Sequence, residues 1–311
     1  MAGLIQQRDP GLAVETVVIR TEGDRRSAVS LDRIGGQGVF TKEVQAAVLD
    51  GRADVAVHSA KDLPPVTPDG LVLAAVPQRA DPRDVLVGRA LADLPAGAVV
   101  ATGSARRRAQ LANLRPDLTF VDLRGNMARR LAKADDRAVH AVVVAAAALD
   151  RLDWTLPAGG VVDYLPPAVL LPQVGQGALA LECRADDHRS GEVLAAVDHA
   201  LGHRTLRAER AFLAGIGGSC AVPVGGWAEP AEPPGGPDGG GADGGAGGAG
   251  GAGGAGGADG GDLRLHGLLA SGDGRIVIRG HLVGADPEAL GRELARHLLE
   301  DCGGWGIEGW G

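Results

Sequence analysis

The stretch AVVATGSARRRAQLANLRPDLTFVDLRGNMARRLAKADDRAVHAVVV, residues 98–144, decides how this chain folds. Its apolar, β-branched runs at 98–101, 118–121 and 138–144 read as strands, and the segments between them, 104–114 and 127–134, read as helices. Strands alternating with helices at this spacing predict an α/β protein with parallel sheets. The first two strands here run into polar turns that open helices, and those turns are where open α/β sheets collect ligands.

The same grammar extends toward the N-terminus. Segments 14–19 and 54–58 read as strands flanking a helix over 41–49, with Thr41 as its N-cap and Glu43 in its first turn, and further strands are expected at 71–76 and 85–87. Toward the C-terminus it changes. An amphipathic helix over 205–213 is followed much later by strand 263–270, a Gly272-Asp273-Gly274 turn, strand 275–282 and a helix from Pro287 to 300 with Asp286 as its cap. That end reads as a small α+β domain. Between the two lies 235–261, where seventeen of twenty-seven residues are glycine and most of the rest alanine. Such a stretch has almost no side chain to bury, so it is expected to be a flexible insertion.

With 311 residues the chain exceeds what one hydrophobic core usually supports, so two or three domains are expected. A formal charge of −8 and 3% aromatic residues disfavour nucleic-acid binding by a basic, stacking surface. No apolar run reaches the roughly 20 residues of a membrane span, and the first residues lack the sections of a secretory signal. A cytoplasmic protein with reduced thiols is expected, since Cys183, Cys220 and Cys302 form neither an even set nor a C-x-x-C pair.

Four places could carry chemistry. Thr102-Gly103-Ser104-Ala105-Arg106-Arg107-Arg108 and Leu123-Arg124-Gly125-Asn126, the latter preceding a helix with Arg129 and Arg130, are both strand-to-helix turns. There free N–H groups, hydroxyls and guanidinium forks can meet a ligand with several carboxylates or phosphates; the alternative for either is a solvated basic face. His58-Ser59-Ala60-Lys61-Asp62-Leu63-Pro64 closes another predicted strand. Neighbouring His, Ser and Asp do not converge as a hydrolase triad, but a carboxylate beside a lysine at a strand end suits stabilisation of a developing cation. The alternative is a turn in which Asp62 caps local N–H groups. Gly217-Gly218-Ser219-Cys220 places a cysteine in a glycine-rich loop, either as an inert buried thiol or as an accessible attachment point.

Two other patterns are set aside. Gly175-Gln176-Gly177-Ala178-Leu179-Ala180 matches a loose dinucleotide fingerprint, but Pro166, Pro167 and Pro172 interrupt the strand that should precede it. His199 and His203 share i,i+4 spacing without the glutamate of a zinc-binding helix, and are expected to be surface histidines.

Taken together, these motifs resemble one family, porphobilinogen deaminase (hydroxymethylbilane synthase). The resemblance runs over 14–227 and resumes over 263–301, and is carried by Gly35-Gly36-Gln37-Gly38-Val39-Phe40-Thr41-Lys42-Glu43, the 58–64 segment, Asp81-Pro82-Arg83-Asp84, 104–111, 123–126, Gly175-Gln176-Gly177-Ala178 and the Cys220 loop. It implies two α/β domains of the type II periplasmic-binding-protein kind plus a C-terminal α+β domain. Their expected boundaries are 1–77 with 176–196, 78–175, and 197–311 including the insertion. It implies a transferase that joins four porphobilinogen molecules head to tail with loss of ammonia, as a monomer using neither nucleic acid, membrane nor metal.

The growing product would hang from a dipyrromethane cofactor held by a thioether to Cys220. Asp62 matches the catalytic aspartate, which stabilises the positive charge that develops on the pyrrole. Ser59, Lys61, Ser104, Arg106, Arg107, Arg124 and Gly125 match cofactor-binding positions, and Arg130, Arg151, Phe40 and Gln176 match substrate-binding ones. Three departures stand out. Gln37 occupies a position where the family usually has lysine, and Gly103 one where it usually has serine. The family's opening strand and helix, with their Arg-x-Ser-x-Leu-Ala motif, have no counterpart, so the chain is expected to be N-terminally truncated. An inactive anion-binding protein or a non-functional fragment of the same fold stays open as the alternative.

Overall fold

A computed structural model describes residues 1–21, 41–152, 154, 160–217, 223–231 and 260–307. Residues 235–259 of the expected Gly-rich insertion, Phe40, Gln37 and Cys220 lie outside these residues.

Among the described residues the strands form three sheets. The first consists of β1 (Val55–Ser59), β2 (Leu71–Ala75) and β8 (Leu179–Arg184), with β8 in the middle and antiparallel to both neighbours. Helices α1 (Ala2–Arg8), α2 (Lys42–Leu49) and α6 (His188–Ala195) belong to the same end of the molecule. The second sheet is five-stranded, in the order β5 (Thr119–Val121), β4 (Val99–Ala101), β6 (Ala141–Ala145), β3 (Asp84–Val87) and β7 (Val162–Leu165). The connections carry α3 (Ala105–Leu114), α4 (Met127–Ala132) and α5 (Ala146–Arg151). The third sheet is the antiparallel set β9 (Val224–Pro230), β10 (Leu263–Ala270) and β11 (Val277–Gly284), covered by α7 (Ala200–Gly215) and α8 (Pro287–Arg296).

The expectation of parallel sheets is therefore corrected. Among the described residues only β4 pairs in parallel, with β5 and β6; β3 and β7 add to that sheet antiparallel. In the first sheet the reason is local. The Ala60 N–H bonds the Ala178 carbonyl at 3.0 Å, so the chain that becomes β8 starts beside the end of β1 and must run back along it. The strand expected at 14–19 is also corrected: the segment is irregular, and Val17 and Val18 are 49% and 82% exposed. Strand propensity alone does not hold an extended segment; it needs a neighbour to take its backbone groups and a face to bury.

Both faces of the middle sheet are buried, which explains the continuous apolar run of β6. Val85, Val87, Val142 and Val144 pack with Leu131 and Leu149 on one side, while Leu86, Val100, Ala141 and Val143 pack with Leu111 and Leu170 on the other. In the third sheet Leu263, Leu265 and Leu269 meet Phe212, Leu294 and Leu298, whereas Leu268 and Ala270 pack outward on Ala109 of α3. Asp286 caps α8 through a 2.6 Å bond from the Ala289 N–H, with Pro287 in the first turn, as expected.

One buried carboxylate ties the parts together. Glu209 of α7 is fully buried and accepts from Nη1 and Nη2 of Arg79, from the Gly175 N–H at 2.7 Å and from the Ala228 N–H at 2.9 Å. Arg79 lies between the first two sheets on the outgoing chain and Gly175 on the returning one. The glycines of that return segment serve backbone packing. Gly175 and Gly177 have φ of +72° and +85°, and a Cβ would lie 2.9 Å from the Lys61 nitrogen at the first and 2.5 Å from the Ala80 carbonyl oxygen at the second. This accounts for the spacing that resembled a dinucleotide loop.

Candidate active site

β1 delivers its last residue, Ser59, into a single 3-10 turn, Ala60–Asp62. The turn stops because Leu63 precedes Pro64 and is held extended, at φ −70° and ψ 144°. Its backbone is gripped from the return segment: besides the Ala60 bond, Gln173 Nε2 donates to the Lys61 carbonyl at 3.2 Å. Lys61 and Asp62 are thus presented from a rigid turn. The Asp62 side chain is exposed at the end of this turn. Desolvation pushes its carboxyl above the ordinary value, and the charges of Lys61, His58 and Arg130 oppose that push. Lys61 is lowered to about 8, first by its own burial and then by Arg107 and Arg106, against the pull of Asp62 and Asp84.

The two strand-to-helix turns both reach this region. In the first, Ser104 caps α3 and accepts from the Arg107 N–H at 3.4 Å. Arg107 places Nη2 at 2.7 Å and Nε at 3.0 Å from Asp84 Oδ1 and gives Nη1 to the Val143 carbonyl at 3.0 Å. Arg106 holds Asp84 Oδ2 at 2.8 Å and donates to the Leu171 carbonyl. The two arginines are 4% and 8% exposed and Asp84 is fully buried. Burial alone would raise the Asp84 carboxyl, yet Arg106, Arg107 and the hydrogen bonds from Arg107 and Gln176 hold it down to about 2.

In the second turn Asn126 caps α4 through a 3.0 Å bond from the Arg129 N–H. Arg124 is exposed and pairs with Asp122 at 2.7 Å. Arg130 is partly buried and donates Nε to the Gly125 carbonyl at 2.8 Å. Its value is lowered by burial and then by Arg107, and Asp62 opposes this. The two turns touch at Gly103, where a Cβ would come 2.8 Å from the Leu123 carbonyl oxygen. The departure at Gly103 has a packing reason here.

Asp62, Lys61, Arg106, Arg107 and Arg130 are therefore close enough to act on one another electrostatically, with Ser59 and Ser104 on the same turns. Arg151 stands further off, exposed, with Nη2 bonded to the Gly177 carbonyl at 2.9 Å. Gln176 is 1% exposed and spends Nε2 on the Pro82 carbonyl at 2.7 Å and Asp84 Oδ1 at 2.8 Å, so in this structure it orients Asp84 instead of facing an open site. His199 and His203 are occupied locally: His199 Nδ1 accepts from the Gly202 N–H at 3.0 Å as the α7 cap, and His203 Nδ1 lies 3.0 Å from Asp198.

Sequence reading passed over Asp84 as more than part of a motif. The signal was there, since an aspartate opening the otherwise apolar, fully buried strand Asp84–Val87 must find a cationic partner or forfeit its hydration. Chemically, the site offers a cationic surplus around one carboxylate. It suits a ligand that carries several carboxylates and develops positive charge near Asp62.

Comparison with known proteins gives the same direction. A sequence profile described as "Porphobilinogen deaminase, dipyromethane cofactor binding domain" matches residues 1–192. The porphobilinogen deaminase of Geobacillus kaustophilus is 42% identical over 299 residues, covering 95% of this chain and 87% of its own. That of Moorella thermoacetica is 44% identical over 295 residues, covering 93% and 84%. That of a Roseiflexus species is 43% identical over 304 residues, covering 96% and 90%.

Proposed function

The chain belongs to the porphobilinogen deaminase family, and from that premise we propose which of its residues carry the reaction. It is a transferase that polymerises porphobilinogen to hydroxymethylbilane and works with a dipyrromethane cofactor. The residues present suit such a group. Its acetates and propionates call for cations, and Lys61, Arg106, Arg107 and Arg130 stand against only Asp62 and Asp84 in the electrostatic cluster. In our reading Ser59, Lys61, Ser104, Arg106, Arg107, Arg124 and Gly125 hold the cofactor's carboxylates and Cys220 its thioether. When bound, the cofactor supplies the free pyrrole carbon on which the product is assembled.

The observation that carries the reading is Asp62 on a turn whose backbone is held by the return segment, with the charges of Lys61, His58 and Arg130 acting on its carboxyl. As ammonia leaves porphobilinogen, positive charge develops on the pyrrole. The Asp62 carboxylate, fixed on its rigid turn, stabilises that charge without having to reorganise. Lys61 and Arg130 oppose its protonation, Arg130 and Arg151 bind the substrate's acetate and propionate, and Phe40 covers the reacting pyrrole. Arg106 and Arg107 act as a preformed pair, their geometry set by Asp84, and Gln176 serves by aiming Asp84.

For the architecture we propose three domains, 1–77 with 176–196, 78–175 and 197–311, the first two of the type II periplasmic-binding-protein kind. Each of the three sheets draws all its strands from one of these ranges, which supports the division. We read the protein as a cytoplasmic monomer; the unpaired thiols Cys183 and Cys302 support a reducing compartment. Asp62→Asn in cofactor-loaded protein is expected to lower single-turnover consumption of porphobilinogen about a thousandfold or more. Cys220→Ser is expected to abolish the covalent mass increment. Normal turnover by Asp62→Asn would end the catalytic assignment.

A further inference from the structure

Arg106 and Arg107 are adjacent on α3 and share Asp84, yet their other anchors differ in kind. Arg107 gives Nη1 to the Val143 carbonyl, which sits in β6 and is fixed by the pairing of that strand with β3. Arg106 gives Nη1 to the Leu171 carbonyl, in the irregular segment that runs from β7 to β8. Leu171 is buried and lies in no strand, so its backbone groups must find partners among side chains. Gln110, one turn after Arg106 and 2% exposed, supplies them. Its Oε1 accepts from the Leu171 N–H at 2.8 Å and its Nε2 donates to the Leu171 carbonyl at 3.1 Å.

The amide is itself held. Arg279 of β11 donates Nη2 to Gln110 Oε1 at 2.9 Å, and its terminal nitrogens also reach the Ala168 carbonyl at 2.8 Å and the Val169 carbonyl at 3.1 Å. With two donors on Oε1, the side-chain amide can stand only one way round. Packing alone asks for less than this. Gln110 satisfies both backbone groups of Leu171, so Arg106 is a second donor on a carbonyl that already has one. The contact between α3 and the third sheet likewise has other supports: Leu268 and Ala270 pack with Ala109 and Leu171, and Asn113 Nδ2 donates to the Gly274 carbonyl at 3.0 Å. What the arrangement fixes is the Arg106 guanidinium, at Nη2 by Asp84 Oδ2 and at Nη1 by a carbonyl that Gln110 holds in place.

We propose that Gln110 and Arg279 are positioning residues for the reaction: Arg279 locks the Gln110 amide, Gln110 fixes the Leu171 carbonyl, and that carbonyl aims Arg106 at the carboxylates of the growing pyrrole chain. This rests on the reading of Arg106 as a cofactor-binding group. β11 belongs to the same range of the chain as Cys220, so the strut ties the cofactor-bearing domain to one of the arginines that hold the cofactor's carboxylates. Arg106 acts on a ligand that is already attached. Its misplacement should therefore slow the bond-forming steps more than it weakens capture of the next porphobilinogen.

The test measures kcat, KM and thermal melting for cofactor-loaded wild type, Gln110→Leu, Arg279→Leu, Arg106→Lys and the two double variants that add Arg106→Lys. Gln110→Leu is expected to lower kcat about tenfold and Arg279→Leu about threefold, with KM within about twofold in both. Arg106→Lys keeps the charge but loses the planar fork. In that background either substitution should lower kcat by less than about twofold more, since residues that act through one another are not additive. Losses that multiply in full in the double variants would show that Gln110 and Arg279 act elsewhere, and overturn the proposal. So would an unchanged kcat beside a lower melting temperature in Arg279→Leu, the mark of a purely structural strut. If Gln110→Leu does not fold, Arg279→Leu carries the comparison, and if Arg106→Lys does not, the kcat of Arg279→Leu alone decides. If neither Gln110→Leu nor Arg279→Leu folds, the residues are structural and the proposal is overturned. Undiminished kcat in Arg106→Lys alone would instead remove the premise about Arg106 and leave the strut as packing.

Discussion

The turn at Ser104 and the turn at Asn126 look alike in sequence: each follows a strand, caps a helix with a polar side chain and offers arginines. They differ in the folded protein. At the first, both Arg106 and Arg107 are buried on a single carboxylate, Asp84, which arrives from 84–87 on a different strand. At the second, Arg124 remains exposed on a neighbouring aspartate and Arg130 leans on a backbone carbonyl, partly open toward Asp62. The lesson is that a buried counter-charge converts an anion-binding turn into a rigid, half-neutralised frame, while the same motif without one keeps its charge available. Two cations on one anion still leave a net positive charge, so the first turn can hold carboxylates by field and geometry.

The largest effect is expected from Asp84→Asn. It leaves two buried guanidinium groups without their anion and should cost about 3–5 kcal/mol in denaturant unfolding. A smaller loss would mean that the first turn is as open as the second. Acid titration reports on the same contact. The Asp84 carboxyl is depressed from 3.8 to about 2 on folding, so its contribution is present above pH 4 and is lost as pH falls through about 2. The corresponding stability is about 2 kcal/mol, and it should be missing from the acid unfolding of Asp84→Asn.

Next in size is a contrast between Arg107→Leu and Arg130→Leu. The first should destabilise by about 3 kcal/mol by stranding Asp84 in part, whereas the second should change stability by less than about 1 kcal/mol. The kinetic order is reversed: Arg130→Leu should raise KM for porphobilinogen about tenfold while the fold stays intact. Equal melting losses in the two variants would erase the distinction drawn between the turns.

Lys61 stands between them and should give a several-fold effect. Its value in the folded protein is lowered from 10.5 to about 8, so the folded state sheds that proton first. KM should therefore rise as pH passes about 8, while the stability term from this group grows toward pH 10.5, the two moving in opposite senses. Lys61→Gln should flatten the alkaline rise in KM. The smallest effect belongs to the surface: Asp122→Ala removes the exposed partner of Arg124 and Arg108 and should alter stability by less than about 0.5 kcal/mol.

Much of this was readable in the chain, and the exceptions share a cause. Helices at Lys42–Leu49, Ala105–Leu114 and Pro287–Arg296 were legible from periodicity and caps, because those signals are local. The last strands, Leu263–Ala270 and Val277–Gly284, were legible from their alternation and the intervening Gly turn. Strand Leu179–Arg184 was missed, since its residues matched a glycine fingerprint whose true use is packing against the turn at Lys61. Strand Val224–Pro230 was missed because Gly225 and Gly226 weaken strand propensity; both sit where a larger side chain would strike Leu171, Val174 or Phe212.

For the site, the sequence by itself determined which groups are present: a carboxylate and a lysine after a strand, arginines after two others, and caps that start helices there. These follow from residues adjacent in the chain, whose geometry is dictated by backbone sterics and short hydrogen bonds. Only the tertiary structure decided which arginines stay available and which buried carboxylates hold the segments around the site. That depends on Asp84, Glu182 and Glu209, each brought from a distant segment. A buried charge selects its partners by proximity in a low-dielectric interior, and proximity between segments from about twenty to more than a hundred residues apart is a property of the fold.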